Sequence, residues 1–240
     1  MSAETTPALP LPLIAADAGW LVIEKPAGLS VHNDPGRDVC SLLAVRLRAG
    51  FAETACDPDF GVHAVHRLDR ETSGLLLLAC RREVFETLSG EFSQGRVEKE
   101  YLVLSHGRLP AGSEGIWRWP LSASAAGRRN PQGPSPRVPS ITHFRSLRCG
   151  RRYTLLTCRP VTGRQHQIRR HAALAGHPVL GDQRYGPARA CRYLAERHNF
   201  TRLALHAAAL TLKVPGSETP RRFESPALPA AIRELLDHDG

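Results

Sequence analysis

The longest uninterrupted apolar run, Leu75 to Cys80, lies between Gly74 and Arg81. It is too short for a helix, so it predicts a buried strand. Directly after it, Val84, Phe85, Leu88 and Phe92 recur at helical spacing and predict an amphipathic helix over 81–94 that Gly95 terminates. Upstream, Trp20 to Lys25 predicts a short strand closed by Pro26-Ala27-Gly28, and Val39, Leu42, Leu43 and Leu47 predict a short helix ended by Gly50. Downstream, strands are expected over 101–104, 153–158 and 203–214, with a helix over 165–175 capped by Gly176. Ser225-Pro226 is expected to open a last helix whose Leu228, Ile232, Leu235 and Leu236 share one face. Residues 126–140 collect Gly, Arg, Asn and four Pro, which predicts an exposed loop, mobile until it meets a ligand. Residues 1–12 resemble a loose arm. With no repeat and no linker between two composition regimes, residues 13–240 are expected to form a single mixed α+β domain.

Composition narrows the class. A chain of 240 residues with 42% hydrophobic positions can bury a core. Its net charge of +9 points to a polyanion or an anionic surface as partner. Only Lys25, Lys99 and Lys213 are lysines; the other 29 cations are Arg, whose planar fork suits phosphate, although coding bias gives the same skew. Six cysteines include no C-x-x-C pair, which removes the usual zinc and dithiol patterns and suggests reduced thiols. No basic segment followed by an apolar stretch opens the chain, and no run approaches the roughly 18 residues of a membrane helix, so a soluble, cytoplasmic protein is expected.

Three polar stretches stand out. In Val65-His66-Arg67-Leu68-Asp69-Arg70-Glu71-Thr72-Ser73-Gly74, charged groups lead directly into the buried strand. A cation within about 4–6 Å lowers a carboxylate's pKa by about 1–3 units, so Asp69, with Arg67 and Arg70 near it in sequence, is expected to be ionised. A turn residue capping a backbone N–H explains an isolated loop Asp equally well. Thr162-Gly163-Arg164-Gln165-His166-Gln167-Ile168-Arg169 places amides, an imidazole and two guanidiniums at an expected helix start, where anions bind well. Arg164 and Arg169 also read as solvated surface charges. In Glu98-Lys99-Glu100-Tyr101 the tyrosine either stacks on a base or simply packs.

Together these stretches resemble the RluA-type family of RNA pseudouridine synthases. The matching blocks are Glu24 to Gly28, His66 to Asp69 with Thr72 to Gly74, Lys99 to Tyr101, and Thr162 to Arg169. Gly176 to Pro178, Gly181-Asp182, Tyr185-Gly186 and Leu205 to Ala207 follow in the family's order. The resemblance implies a largely antiparallel sheet with flanking helices and a central basic cleft. It also implies Asp69 as the catalytic aspartate, Tyr101 as the ring stacked on the target base, and Arg169 as the partner of Asp69. Lys25, Arg67, Lys99, Arg164, His166 and Gln167 are the expected RNA-binding residues. Arg128, Arg129 and Arg137 are further phosphate candidates. The implied reaction isomerises uridine in ribosomal or transfer RNA and needs no cofactor and no metal. Because the pattern begins near residue 13, no N-terminal S4 module is expected; a single domain with no obvious partner face suggests a monomer. Two departures stand out: Arg170 occupies a usually aliphatic position, and the stretch before Ile141 is divergent and Pro-rich.

Other classes fit less well. A metal site on His63, His66 and Asp69 fails because neither helical nor strand geometry points the three one way. Thr72-Ser73-Gly74 lacks the G-x-S-x-G elbow of a serine hydrolase. An RNA-binding protein that had lost the chemistry would lack Asp69, Tyr101 or Arg169, and all three are present.

Overall fold

The computed structural model describes residues 11–52 and 54–239. Strands β1 (Leu13–Asp17) and β2 (Trp20–Lys25) precede helix α1 (Val39–Arg48), strands β3 (His63–Ala64) and β4 (Ser73–Ala79), and helix α2 (Arg82–Ser93). Six strands follow: β5 (Glu98–His106), β6 (Glu114–Trp117), β7 (Leu121–Ser122), β8 (Arg137–Val138), β9 (Thr142–Cys149) and β10 (Tyr153–Pro160). Helices α3 (Gln167–Leu174) and α4 (Ala188–His198), strands β11 (Leu205–Leu212) and β12 (Arg221–Glu224), and helix α5 (Ala230–Asp237) complete the order. The main sheet runs β1-β2-β4-β11-β5-β10-β9-β6, with β12 on β11 and β3 on β4. Its pairs are antiparallel except β4 with β11, so the expected mixed α+β architecture with a largely antiparallel sheet is present.

The apolar run at Leu75 is explained by layers on both faces of β4. Leu75, Leu77 and Ala79 join Trp20 and Val22 of β2 and Val84 and Leu88 of α2 in one cluster. Leu76 and Leu78 join Leu21, Ile23 and Val39 and Leu43 of α1 in another. A third cluster lies between the far half of the sheet and helices α3, α4 and α5, around Leu104, Leu156, Ile168, Leu194 and Ile232. Tyr101 of β5 packs against the edges of the last two, which places it at the seam between the halves.

That seam is the parallel β4–β11 pairing, Ser73 beside His206 and Gly74 beside Ala207. Gly74 has φ +112°, and a Cβ there would lie 2.3 Å from the Ala207 carbonyl oxygen. Only glycine allows this approach.

Several expectations need correction. Ordered packing starts ahead of residue 13: Leu11 is buried in the α1-side cluster and the Pro12 carbonyl accepts from the Glu24 N–H. Residues 1–10 of the expected arm lie outside the described residues. The last helix begins at Ala230, because the Ser225 N–H extends the β11 edge by donating to the Ala208 carbonyl. The segment 126–140 is docked rather than loose. Its β8 pairs with β7, and Arg170 of α3 donates to carbonyls within it.

Candidate active site

Asp69 sits in the loop that feeds β4, its carbonyl accepting from the Thr72 N–H across a tight turn. The loop is fixed from behind by residues 26–29. Gly28 N–H donates to the Arg70 carbonyl, and Arg70 Nε donates back to the Gly28 carbonyl. Lys25 completes the anchor: fully buried, its Nζ donates to the carbonyls of Pro26, Leu29 and Arg70 at 2.8–3.1 Å. Burial pulls its pKa down to about 8, against the opposing pull of Asp69 and Glu71. All three ammonium protons are therefore engaged, and Lys25 holds the loop instead of meeting RNA as the sequence suggested.

The cation that reaches Asp69 is neither Arg67 nor Arg70 but Arg169, a hundred positions along the chain. Arg169 Nη1 lies 3.2 Å from Asp69 Oδ2 and 3.4 Å from Glu71 Oε2. Its other edge forms a bidentate pair with Asp182, Nε to Oδ2 at 2.7 Å and Nη2 to Oδ1 at 2.9 Å. Asp182 is buried and also accepts from the backbone N–H groups of Arg184 and Tyr185. Burial raises the Asp182 carboxyl, but its hydrogen bonds with Arg169 outweigh this and leave the pKa low. Burial likewise opposes the charged form of Arg169, yet Asp182 and then Asp69 hold its pKa above the ordinary guanidinium value. A buried charge so paired is fixed in direction as well as in state. Asp182 is the residue that spacing missed. The only signal for it was its place in the Gly181-Asp182 block.

His166 approaches the other carboxylate oxygen, Nε2 lying 3.7 Å from Asp69 Oδ1, while Nδ1 is 3.0 Å from the Tyr185 hydroxyl. It adopts a left-handed backbone, φ 54°, which turns the chain into α3. Burial lowers its pKa despite Asp69, favouring the neutral ring. Gln167 borders the cleft beside Asp69, but its amide is engaged within the protein. It is buried, its Nε2 donating to Ile141 O and Thr142 Oγ1 and its Oε1 accepting from Thr162 Oγ1 and the Arg164 N–H. Its side chain ties the turn before α3 to β9.

A cavity of about 940 Å³ opens beside this carboxylate, lined by Arg67, Asp69, Lys99, Tyr101, Arg164 and His166 among others. Burial first, and then the negative charge of Asp69, push the Tyr101 pKa up, so the phenol stays protonated. A second cavity of about 630 Å³ shares Asp69, His166 and Arg169 and adds Arg70, Arg184 and Arg202. The carboxylate thus lies on a saddle between two basic hollows, one of them floored by an aromatic ring. His66 also lines the larger cavity, but its polar edge is engaged within the protein. Its Nε2 accepts from the Leu77 N–H, its ring stacks on Phe92 at 4.9 Å, and burial pulls its pKa to about 3.

The family model for RNA pseudouridylate synthase matches residues 19–174. The chain is 35% identical over 220 residues to ribosomal large subunit pseudouridine synthase C of Vibrio vulnificus, covering 89% of this chain and 65% of that protein. Against the Escherichia coli K12 protein of the same name the identity is 36%, covering 89% and 66%. The chain therefore spans just under two thirds of the length of these relatives. Among solved structures, human RNA pseudouridylate synthase domain containing 1 superposes with a TM-score of 0.75 over 98% of this chain and 97% of that one. At 22% identity this likeness speaks for the fold alone. With the matched region containing Asp69, Tyr101 and Arg169, the chain belongs to the RNA pseudouridylate synthase family.

Proposed function

We propose that this chain isomerises uridine to pseudouridine in RNA, with Asp69 as the catalytic residue and large-subunit ribosomal RNA as the substrate. What supports the reading above all is the Asp69 carboxylate held by Arg169 in a cleft that also carries an aromatic ring. The reaction breaks the N1–C1′ bond, turns the uracil, joins C5 to C1′, removes the C5 proton and leaves a proton on N1, so it is an isomerisation that consumes no electron or water. Asp69 acts on the sugar, by attack at C1′ or by taking the 2′ proton. Arg169, 3.2 Å away, holds and aims it.

Extruding the base costs a few kcal/mol, and stacking on Tyr101 returns about 1–3 kcal/mol of it. Arg67, Lys99 and Arg164 line the same cavity and serve the neighbouring phosphates, with His166 beside Asp69. The choice of ribosomal RNA follows the names of the similar proteins, and the cytoplasm is the proposed site of action.

The test is tritium release from RNA labelled at uracil C5. The wild type releases tritium; Asp69→Asn and Asp69→Ala do not, while both still bind RNA. Turnover in either variant rejects Asp69 as the catalytic group. A pseudouridine map of cells with and without the gene identifies the RNA, and loss of only transfer RNA sites would overturn the ribosomal assignment.

A further inference from the structure

Arg170 follows the site arginine but turns away from the cleft, and it is fully buried without a carboxylate partner. All five of its N–H donors are used on neutral acceptors. Nε donates to Pro131 O, Nη1 to Ser122 O and Gln165 O, and Nη2 to Ser122 Oγ and Gln132 O. A guanidinium in that setting is a clamp that closes the segment 121–138 onto α3. Gly133 makes the closure possible. Its φ is +76°, and a Cβ there would fall within 1.9 Å of Ser122 Oγ and 3.0 Å of Arg170 Nη2. The segment is pinned further by Ala125 N–H to Gln165 Oε1 and by Arg184 to the carbonyls of Ala125 and Ala126.

The clamped segment spans both hollows of the site. Ala123 lines the Tyr101 cavity, while Arg128 donates to the carbonyl of Gln183, which lines the other. It also lies in a region of one charge sign: residues 115–181 contain twelve Arg and no Lys, Asp or Glu. Arg129, at the turn, is exposed and pairs with nothing among the described residues. Fixing a cation before binding removes the ordering cost that a loose loop would incur.

Building on the pseudouridine synthase reading, we propose that Arg170 is a positioning residue for substrate choice. By locking 121–138 in place it presents Arg129 to a phosphate of the RNA outside the reacting nucleotide. The partner is therefore a folded RNA long enough to pass over the arm, and a short strand gains little from it.

The probes are an unmodified large-subunit ribosomal RNA transcript labelled with tritium at uracil C5, and a short oligouridine. Arg129→Glu should weaken binding of the transcript about tenfold and lower the slope of log affinity against log salt by about 0.7–1. Arg170→Met should do the same, raise KM much more than it lowers kcat, and expose 123–133 to protease. Neither should change oligouridine affinity beyond about twofold, within the accuracy of such comparisons. If Arg170→Met fails to fold, Arg129→Glu decides, because its side chain is exposed. Wild-type affinity and slope in a folded Arg129→Glu overturn the proposal, as does arm-dependent capture of a protein with RNA binding unchanged. Transcript binding without any tritium release would reject the enzymatic reading while leaving the binding comparison to judge the arm.

Discussion

Of the three carboxylates on Arg169 among the described residues, Asp182 and Asp69 differ most in what their loss should do. Asp182 has no exposed side-chain surface and grips Arg169 through two bonds, whereas Asp69 is 17% exposed and makes one bond at 3.2 Å. Removing one partner of a buried pair strands the other charge, so Asp182→Ala should destabilise the protein by about 3–5 kcal/mol. Asp69→Asn keeps an acceptor and leaves Asp182 in place, so its cost should be near 1 kcal/mol. Urea unfolding of both variants checks this, and equal losses would contradict the division of labour between anchor and reacting group. The family resemblance singled out Asp69, Tyr101 and Arg169, and the fold brings all three to one cavity. The internal hydrogen bonds of Lys25 and Gln167 were not legible, since a buried and an exposed polar side chain read alike until the groups that satisfy them are known. Asp182 lies thirteen residues beyond Arg169, and no local periodicity links a helix to the turn that follows it.

Among the elements, the parallel contact of β4 and β11 is the one on which the cleft depends, because it brings the Asp69 loop beside the Arg169 half of the molecule. Gly74→Ala places a Cβ against the Ala207 carbonyl in a left-handed backbone. Backbone conformation alone should then cost about 1–3 kcal/mol, with the clash added. Chemical denaturation should show that loss, and tritium release should fall with it; a fully stable, active variant would mean that the seam tolerates displacement. Strands β2, β4, β5 and β10 and helices α1, α2 and α3 were legible because each buries a continuous run or a clear helical face. Helix α4 was not: Leu194 is its one large aliphatic residue, too little to set a period, whereas α1 repeats Val39, Leu42, Leu43 and Leu47 and α2 repeats Val84, Phe85, Leu88 and Phe92. Strands β1 and β12 are short sheet edges whose residues are mostly exposed or half-buried, so they carry no alternation to read. Pairing order, including the one parallel contact, is set by contacts far apart in sequence.

Across the whole molecule, the two halves meet through a polar seam beneath the cleft as well as through Asp69 and Arg169. His206 Nδ1 bonds the Ser73 hydroxyl at 2.9 Å and Nε2 bonds the Ser225 hydroxyl at 2.8 Å, with Glu24 3.5 Å from Nε2. Arg202 also donates to Ser73. Burial, and then the charge of Arg202, pull the His206 pKa down to about 4, and burial holds His66 at about 3. The native state therefore keeps both rings neutral well below the ordinary histidine value of 6.5, while the unfolded chain takes up protons there. The unfolded state binds more protons between pH 6.5 and those lower values, so stability is fully present above 6.5 and falls as the solution is acidified. Each group contributes a slope of up to about 1.4 kcal/mol per pH unit over that window. The low carboxyl pKa of Asp182 acts in the same direction at still lower pH, whereas the raised pKa of Glu24, caused by burial, opposes it. Urea midpoints should accordingly drop between pH 7 and pH 4, and His206→Gln should flatten the curve because it cannot be protonated. The same replacement keeps a donor and an acceptor for Ser73 and Ser225, so a fold that survives it with an unchanged acid slope would remove His206 from the seam's pH response.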